Sequence, residues 1–318
     1  MPKPDIHSAS SFRHKTAKDN AQSPSAESGA LSVPGGLSIR RSPLAPGLYL
    51  IATPIGNLRD ITLRALDTLA SADIVLAEDT RQSRKLLDAY QIKTSLSPYH
   101  DHNAAKRVPA LIKKLEDGAS IALISDAGTP LVSDPGYKLA RAAIDAGQNV
   151  FAVPGASAVL CGLSVSGLAS DKFMFAGFLP PKTGARKTAL GALMAVPSSL
   201  IFFETAPRLS AVLADMLDIF GDRQAVIARE LTKKYEEVLR GTLSELIAQL
   251  EGPRLRGEIV LMLAPPAGGA IWDDEAVDKA LRARLSDLGV KRASEEIASL
   301  SGLPKRQVYA RALQIKDE

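Results

Sequence analysis

Ile124-Ser125-Asp126-Ala127-Gly128-Thr129-Pro130-Leu131-Val132-Ser133-Asp134-Pro135-Gly136 is the stretch that decides the fold. It follows the apolar run Ile121-Ala122-Leu123-Ile124, which reads as a buried strand, and precedes a helical pattern over 137–146. Two acids and two glycines therefore sit where a strand hands over to a helix. In open α/β sheets ligands bind there, outside the carboxyl ends of the strands. Gly128 and Gly136 permit turns that other residues resist and leave room for a ligand against the backbone.

Two similar loops flank it. The strand-like run 48–53 leads into Pro54-Ile55-Gly56-Asn57-Leu58-Arg59-Asp60, and 150–153 leads into Pro154-Gly155-Ala156-Ser157-Ala158. Three such loops from one sheet converge on one cleft. A further strand over 74–77 and helical spacings over 61–72, 81–90 and 104–117 complete an alternation that predicts a parallel sheet with crossover helices. A second α/β block follows, with a strand-then-turn run over 173–180, strands over 200–203, 225–228 and 258–263, and helices over 209–220 and 242–250. Thr242 with Glu245 three residues on is a capping box for the last helix.

The chain has 318 residues, 46% hydrophobic and 23% charged, with a net charge of +4. This length accommodates two domains and an appendage. The mild basicity suits an acidic partner such as RNA without requiring one. The lone Cys161 excludes an intramolecular disulfide framework, and its apolar context predicts a buried structural thiol in a reducing cytoplasm. Residues 149–170 carry no charge, but Pro154, Gly155, Gly162 and Gly167 interrupt them, so they read as strand, loop and helix rather than a membrane span. No apolar signal-peptide core opens the chain, and a soluble, cytoplasmic protein is expected.

Four segments are expected. Residues 1–46 read as a disordered, slightly basic extension with six Lys/Arg against three Asp/Glu. Residues 47–160 form the first α/β domain and 161–268 the second, ending in a Pro265-Pro266 and Gly268-Gly269 linker. Residues 269–318 form an all-helical module. Within it Ala298, Leu303 and Val308 have the spacing of packed helix-turn-helix positions, and the second helix offers Lys305, Arg306 and Arg311 to solvent. A nucleic-acid contact and a helical hairpin that merely packs on the body both fit this pattern.

Several common sites are missing. No G-x-G-x-x-G follows a strand, and Gly177-Phe178-Leu179-Pro180-Pro181-Lys182-Thr183 lacks the second glycine of a P-loop. The cluster His100-Asp101-His102-Asn103 makes a poor metal cage, so no metal site is expected. Glu78-Asp79-Thr80-Arg81 lies at another strand's carboxyl end. There Asp79 suits either catalysis or capping of the following helix, and Arg81 can grip a phosphate or carboxylate bidentately.

At this point the motifs LYLIATPIGNLRDIT, AEDTRQSRKLL, ISDAGTPLVSDPGY and VPGASA, in this order, resemble the tetrapyrrole-methylase superfamily. Within it they are similar to the branch that methylates ribosomal RNA. The likeness runs over roughly residues 47–318. It implies an α/β fold of two domains with the cofactor cleft between them, plus a C-terminal helix-turn-helix-like module. It also implies S-adenosylmethionine held largely by backbone groups. Matched motif to motif, the cofactor-binding residues are Ile55, Ala127, Gly128, Thr129, Val132, Ser157, Ala158, Glu204 and Leu231. Implied partners are 16S rRNA in the small ribosomal subunit and a second copy of the chain. The family's second-domain histidine is absent from Phe203-Glu204-Thr205-Ala206-Pro207-Arg208, which excludes a catalytic histidine there. Ala104 stands where the branch carries a glutamate after the His100 run, so no role is carried over for it.

The resemblance further implies the reaction, 2′-O-methylation of cytidine 1402. Methyl transfer is an in-line substitution in which the ribose hydroxyl must lose its proton to a nearby base. The catalytic candidates are Glu78, Asp79 and Asp126; Arg81, His100, Asp101 and Lys182 are candidates for substrate contact, with Lys305, Arg306 and Arg311 in the C-terminal module. His100, Asp101 and Lys182 also remain open as bases. A small-molecule methylase of the same fold and a non-catalytic nucleic-acid-binding regulator are the alternatives.

Overall fold

The computed structural model describes residues 30–33, 37–250, 256–266, 274–301 and 303–317. Strands β1 (Ala30–Val33) and β2 (Leu37–Arg40) form an antiparallel hairpin. The first domain then runs β3 (Gly47–Ile51), α1 (Leu63–Ser71), β4 (Ile74–Ala77), α2 (Thr80–Ala89), β5 (Leu96–Pro98), α3 (Asp101–Glu116), β6 (Ser120–Ile124), α4 (Tyr137–Asp145) and β7 (Val150–Val153). Its five strands are all parallel in the order β5-β4-β6-β3-β7. β6, β3 and β7 are adjacent, so the three loops singled out above leave the same edge side by side.

This sheet is covered on both faces, as parallel sheets require. Successive residues alternate between two cores. Tyr49, Ile51, Val75, Ala77, Ala122 and Ile124 face α1 and α2, whereas Leu48, Leu76, Ile121 and Leu123 face α3 and α4.

The second domain comprises α5 (Ala158–Ser166), β8 (Phe173–Phe178), α6 (Thr183–Leu193), β9 (Ser199–Thr205), α7 (Ala206–Phe220), β10 (Gln224–Arg229), β11 (Glu237–Thr242), α8 (Leu243–Gln249) and β12 (Glu258–Leu263). Its sheet order is β11-β10-β12-β9-β8, parallel only between β8 and β9. One face packs on α6, α7 and α8 through Leu200, Phe202, Leu213, Ile227 and Leu261. The other presents Ile201, Val226, Val260 and Met262 to α5 and to Ile55 of the first domain. This shared apolar layer holds the domains together. Because α5 packs on the second sheet, the expected boundary at 160/161 falls inside a helix.

The C-terminal module is α9 (Asp274–Ser301), broken at Gly289, and α10 (Lys305–Asp317), packed around Leu281, Ile297, Val308 and Ala312. Val308 is buried, and Ala298 and Leu303 pack beside it as their spacing predicts. The break at Gly289, where φ is +68°, divides the first helix in a way its periodicity did not announce.

Two expectations are corrected. The stretch 1–46 is not disordered throughout. The side chain of Ile39 is fully buried against α1, the Arg40 N–H donates to Asp67 Oδ1 at 2.8 Å, and the Ser42 N–H donates to Ser71 Oγ at 3.2 Å. One buried isoleucine and a strand pairing suffice to dock a segment whose composition looks loop-like; residues 1–29 lie outside the described residues. Cys161 is only half-buried, at a shallow groove it shares with Asp60, Pro154 and Thr232. No helix among the described residues is long and apolar enough to cross a membrane.

Candidate functional site

A cavity of about 320 Å³ lies between the two domains, over the carboxyl ends of β6, β3 and β7. All nine residues matched above to cofactor binding line it: Ile55, Ala127, Gly128, Thr129 and Val132 from the first domain, Ser157 and Ala158 at the crossover, Glu204 and Leu231 from the second. Asp126, Ser133, Asp134, Phe178, Glu230, Lys233 and Glu258 complete much of the wall.

The loops are held rigidly. Gly128 has φ of +76° and exchanges two hydrogen bonds with Thr53: the Thr53 N–H donates to its carbonyl at 2.8 Å and its own N–H donates to the Thr53 carbonyl at 3.0 Å. Its backbone is thus committed to joining the first two loops, and its contribution to the cavity is space rather than a free donor. In the first loop Gly56 passes under Lys233 of the second domain, where a Cβ would stand 2.5 Å from Lys233 Cγ. Left-handed non-glycine residues bracket one wall residue on each side of the cavity. Leu131 and Ser133 flank Val132, and Glu230 and Thr232 flank Leu231. Such conformations cost of order 1 kcal/mol or more each and persist where the surroundings over-determine them.

Electrostatically the first-domain side is acidic. Burial raises the Glu78 carboxyl, and the charges of Asp126 and Asp101 add to this. Asp134 is pushed up to about 6, first by burial, with Glu78 and Asp126 adding to the shift and a hydrogen bond from Ser125 opposing it. Across the cavity Glu204 is 2% exposed. Burial raises its carboxyl, against the Thr205 N–H and the charge of Arg208. Arg208 Nη2 lies 3.1 Å from Glu204 Oε1 but off the direction a hydrogen bond needs, so Oε1 keeps an unused acceptor in a buried position. Lys233 ties Glu230 (2.9 Å) to Glu258 (2.8 Å).

Asp134 gives a pH prediction. Its folded value near 6 lies above the unfolded value of about 3.9. The native state therefore holds more protons between these values, and stability falls as pH rises through that window. Asp134→Asn removes the penalty. Relative to wild type it is expected to raise Tm at pH 8 and to leave it nearly unchanged at pH 4. Thermal unfolding at both pH values checks this; equal shifts at the two would contradict it.

The other sequence candidates divide. Asp126 lines the cavity and accepts the Asp79 N–H at 3.1 Å. Glu78 stands behind it, within its field but not on the wall. Asp79 is corrected to the helix-capping role: its Oδ1 accepts the Arg81 N–H at 2.8 Å, and its carboxylate pairs with the Arg81 side chain at 3.3 Å. Arg81 does not point into the cleft; its side chain is 90% exposed and off the cavity wall. His100 and Asp101 open α3, where the His100 N–H donates to Asn103 Oδ1 at 3.1 Å. Lys182 is exposed at the start of α6, also off the wall. Among the described residues no cluster of three or more His, Cys, Asp or Glu side chains is arranged to hold a metal.

In the C-terminal module Lys305 pairs with Glu295 at 2.7 Å, and Arg306 is exposed. Arg311, a candidate for substrate contact, ties α10 to α9, because Nε and Nη2 each reach the Asp278 carboxylate at 2.5 Å. Asp134 and Phe178 were missed as candidates, although Asp134 stands in the deciding loop itself.

A sequence profile of the Tetrapyrrole (Corrin/Porphyrin) Methylases matches residues 47–247, and one of the RsmI C-terminal HTH domain matches 272–316. The ribosomal RNA small subunit methyltransferase I of Mesorhizobium japonicum is 51% identical over 89% of this chain and 97% of its own length. That of Vibrio cholerae is 45% identical over 85% and 95%. Among solved structures, the uroporphyrin-III C-methyltransferase of Thermus thermophilus complexed with S-adenyl homocysteine superposes with a TM-score of 0.50 at 19% identity, covering 68% of this chain and 96% of that one; this likeness concerns the fold. The sheet topology, the interdomain cavity and these matches lead to one assignment: the chain belongs to the tetrapyrrole-methylase family and, within it, to the ribosomal RNA small subunit methyltransferase I proteins.

Proposed function

We propose that the chain transfers a methyl group from S-adenosylmethionine to the ribose 2′-hydroxyl of cytidine 1402 in 16S rRNA. The observation that carries this reading is the interdomain cavity, which gathers every residue matched to cofactor binding. The residues present suit such a donor. Ile55, Val132, Leu231 and Val260 offer apolar surface, and the size falls in the range of small-molecule sites. The buried Oε1 of Glu204, which accepts no hydrogen bond from the protein, offers an acceptor to a hydroxyl or amino group. When bound, S-adenosylmethionine supplies an electrophilic methyl on a sulfonium centre. The chain's own contribution is to hold donor and hydroxyl in line and to exclude water. Acidic side chains on the first-domain wall, Asp126 among them, are placed to accept a proton from the substrate.

The C-terminal module supplies the RNA contact in this reading, and the protein acts in the cytoplasm as a homodimer. Lys305→Ala with Arg306→Ala is expected to weaken RNA binding and reduce its salt slope by up to about one phosphate contact each, with cofactor affinity unchanged. Arg311→Ala should instead loosen the packing of α10 on α9. A double variant with wild-type RNA affinity and salt slope would make the module a packing element.

Transfer of labelled methyl to small ribosomal subunits, to bare 16S rRNA and to a porphyrin precursor tests the substrate. Label in the subunit or its RNA supports the proposal. Label only in the porphyrin would replace it with the small-molecule reading, and cofactor-independent RNA binding without transfer would favour a regulator.

A further inference from the structure

We infer that the cavity mouth between Phe178 and Asp134 is the acceptor-nucleoside subsite, with Phe178 stacking the base and Asp134 accepting the proton of the ribose hydroxyl. This rests on the methyl-transfer reading above and names the residues that would carry it out.

Phe178 lines the cavity yet is 53% exposed. It sits just past a bulge where β8 shifts its register on β9 and where Gly177 takes φ of +66°, still paired with Phe203. The ring is nevertheless fixed. It meets Phe203 edge to face at 5.6 Å, and Phe203 meets Phe175 at 4.7 Å. An aromatic braced in this way at the rim of the cavity suits stacking on an unpaired base, the usual way single-stranded RNA is gripped.

The opposite side of the mouth is the Ser133–Asp134 corner. A Cβ on Gly177 would lie 3.6 Å from Ser133 Oγ, so the end of β8 and the residue before Asp134 are neighbours across the domain interface. Asp134 is held from both sides. Leu131 and Ser133 are left-handed. Gly136 packs so closely that a Cβ would stand 2.7 Å from Leu123 Cδ2 and 2.9 Å from Leu131 Cδ1. A carboxylate placed this firmly loses little on meeting its substrate. The ionisable groups facing it are Glu78 behind β4 and Asp126 on its own loop, and across the cavity Glu204, Glu230, Lys233 and Glu258. Lys233 is occupied by Glu230 and Glu258 and does not neutralise it. A carboxyl poised near 6 is ionised at neutral pH and more basic than an ordinary aspartate.

The step balances. The hydroxyl proton moves to an Asp134 carboxylate oxygen. The ribose oxygen bonds to the methyl carbon as the carbon–sulfur bond breaks, and the electron pair stays on sulfur. A sulfonium and a carboxylate become a neutral thioether and a carboxylic acid, which then releases its proton to solvent.

The test uses the full chain, small ribosomal subunits as acceptor and S-adenosylhomocysteine as the binding probe. Asp134→Asn is expected to lower kcat about 100-fold or more while S-adenosylhomocysteine affinity stays within about twofold. The wild-type rate should fall at acid pH with a midpoint near 6, and the variant's residual rate should lose that midpoint. Phe178→Leu should raise KM about tenfold or more, and Phe178→Tyr should restore it. Wild-type kcat in Asp134→Asn, loss that tracks lost S-adenosylhomocysteine binding, or unchanged KM in Phe178→Leu would overturn the subsite while wild-type transfer leaves the methyl-transfer reading standing. Absence of transfer by the wild-type chain would overturn both.

Discussion

Asp215→Ala is expected to destabilise the chain by about 3–5 kcal/mol, the largest stability effect of any single substitution considered. Asp215 on α7 and Arg186 on α6 form an ion pair buried under the second sheet's outer helices, with side chains 10% and 5% exposed. Arg186 Nε donates to Asp215 Oδ2 at 2.7 Å, and Nη2 lies 2.6 Å from the same oxygen. Removing the carboxylate leaves a buried guanidinium without its ion-pair partner. The remaining acceptors are the Pro181 carbonyl (3.0 Å) and Thr183 Oγ1 (3.2 Å), both neutral. Arg186 also helps shape the turn after β8, holding the Pro181 carbonyl while Arg208 Nη2 donates to that of Leu179 at 2.6 Å. Loss of the pair should therefore loosen the turn that carries Lys182. Urea unfolding with the slope m unchanged and a lowered midpoint checks the prediction; a loss below about 1 kcal/mol would show that the site rehydrates.

Gly128→Val is expected to weaken S-adenosylmethionine binding at least about 100-fold, roughly 2.7 kcal/mol, in a chain that still folds. Two effects act together. Valine at φ of +76° is strained by its branched Cβ. That Cβ would stand 3.3 Å from Ile55 Cγ2, already on the cavity wall, and its two methyls extend further. The paired hydrogen bonds to Thr53 resist relaxation of the loop, so the added volume is displaced into the cavity. The shift falls on binding rather than on either domain's core, which lies in the sheets. Calorimetry of the folded variant checks it, and wild-type affinity would remove this loop from the donor site.

The fold was legible where one residue pattern had one physical reading. Ile121-Ala122-Leu123-Ile124 is apolar at every position because β6 is buried on both faces, and the Thr242–Glu245 capping box starts α8 as written. What escaped was short or balanced by tertiary contacts. β5 has three residues, β11 is a half-exposed edge, and α6 carries Gly184 and Gly191. Seven of the nine residues matched to the donor meet in one cavity because their loops leave the adjacent strands β6, β3 and β7, which the alternation of elements already implied; Glu204 and Leu231 reach it from the second sheet. The acids were harder to sort. Asp79 and Asp134 look alike in sequence, yet one caps a helix beside Arg81 and the other is half-buried within the field of Glu78 and Asp126. That difference depends on β4 and β6 being neighbours in space. Likewise Arg311 resembles its helix partners until Asp278, 33 residues earlier, is folded against it.

The central claim is that the cavity directs a methyl to a ribose oxygen. It is tested most directly by incubating small ribosomal subunits with the chain and labelled S-adenosylmethionine, then hydrolysing the 16S rRNA with alkali. A 2′-O-methyl removes the nucleophile that alkali uses to cleave the adjoining phosphodiester. The account predicts label in an alkali-resistant dinucleotide whose 5′ residue is a cytidine. Label released as a base-methylated mononucleotide, or no label in the RNA, would contradict it.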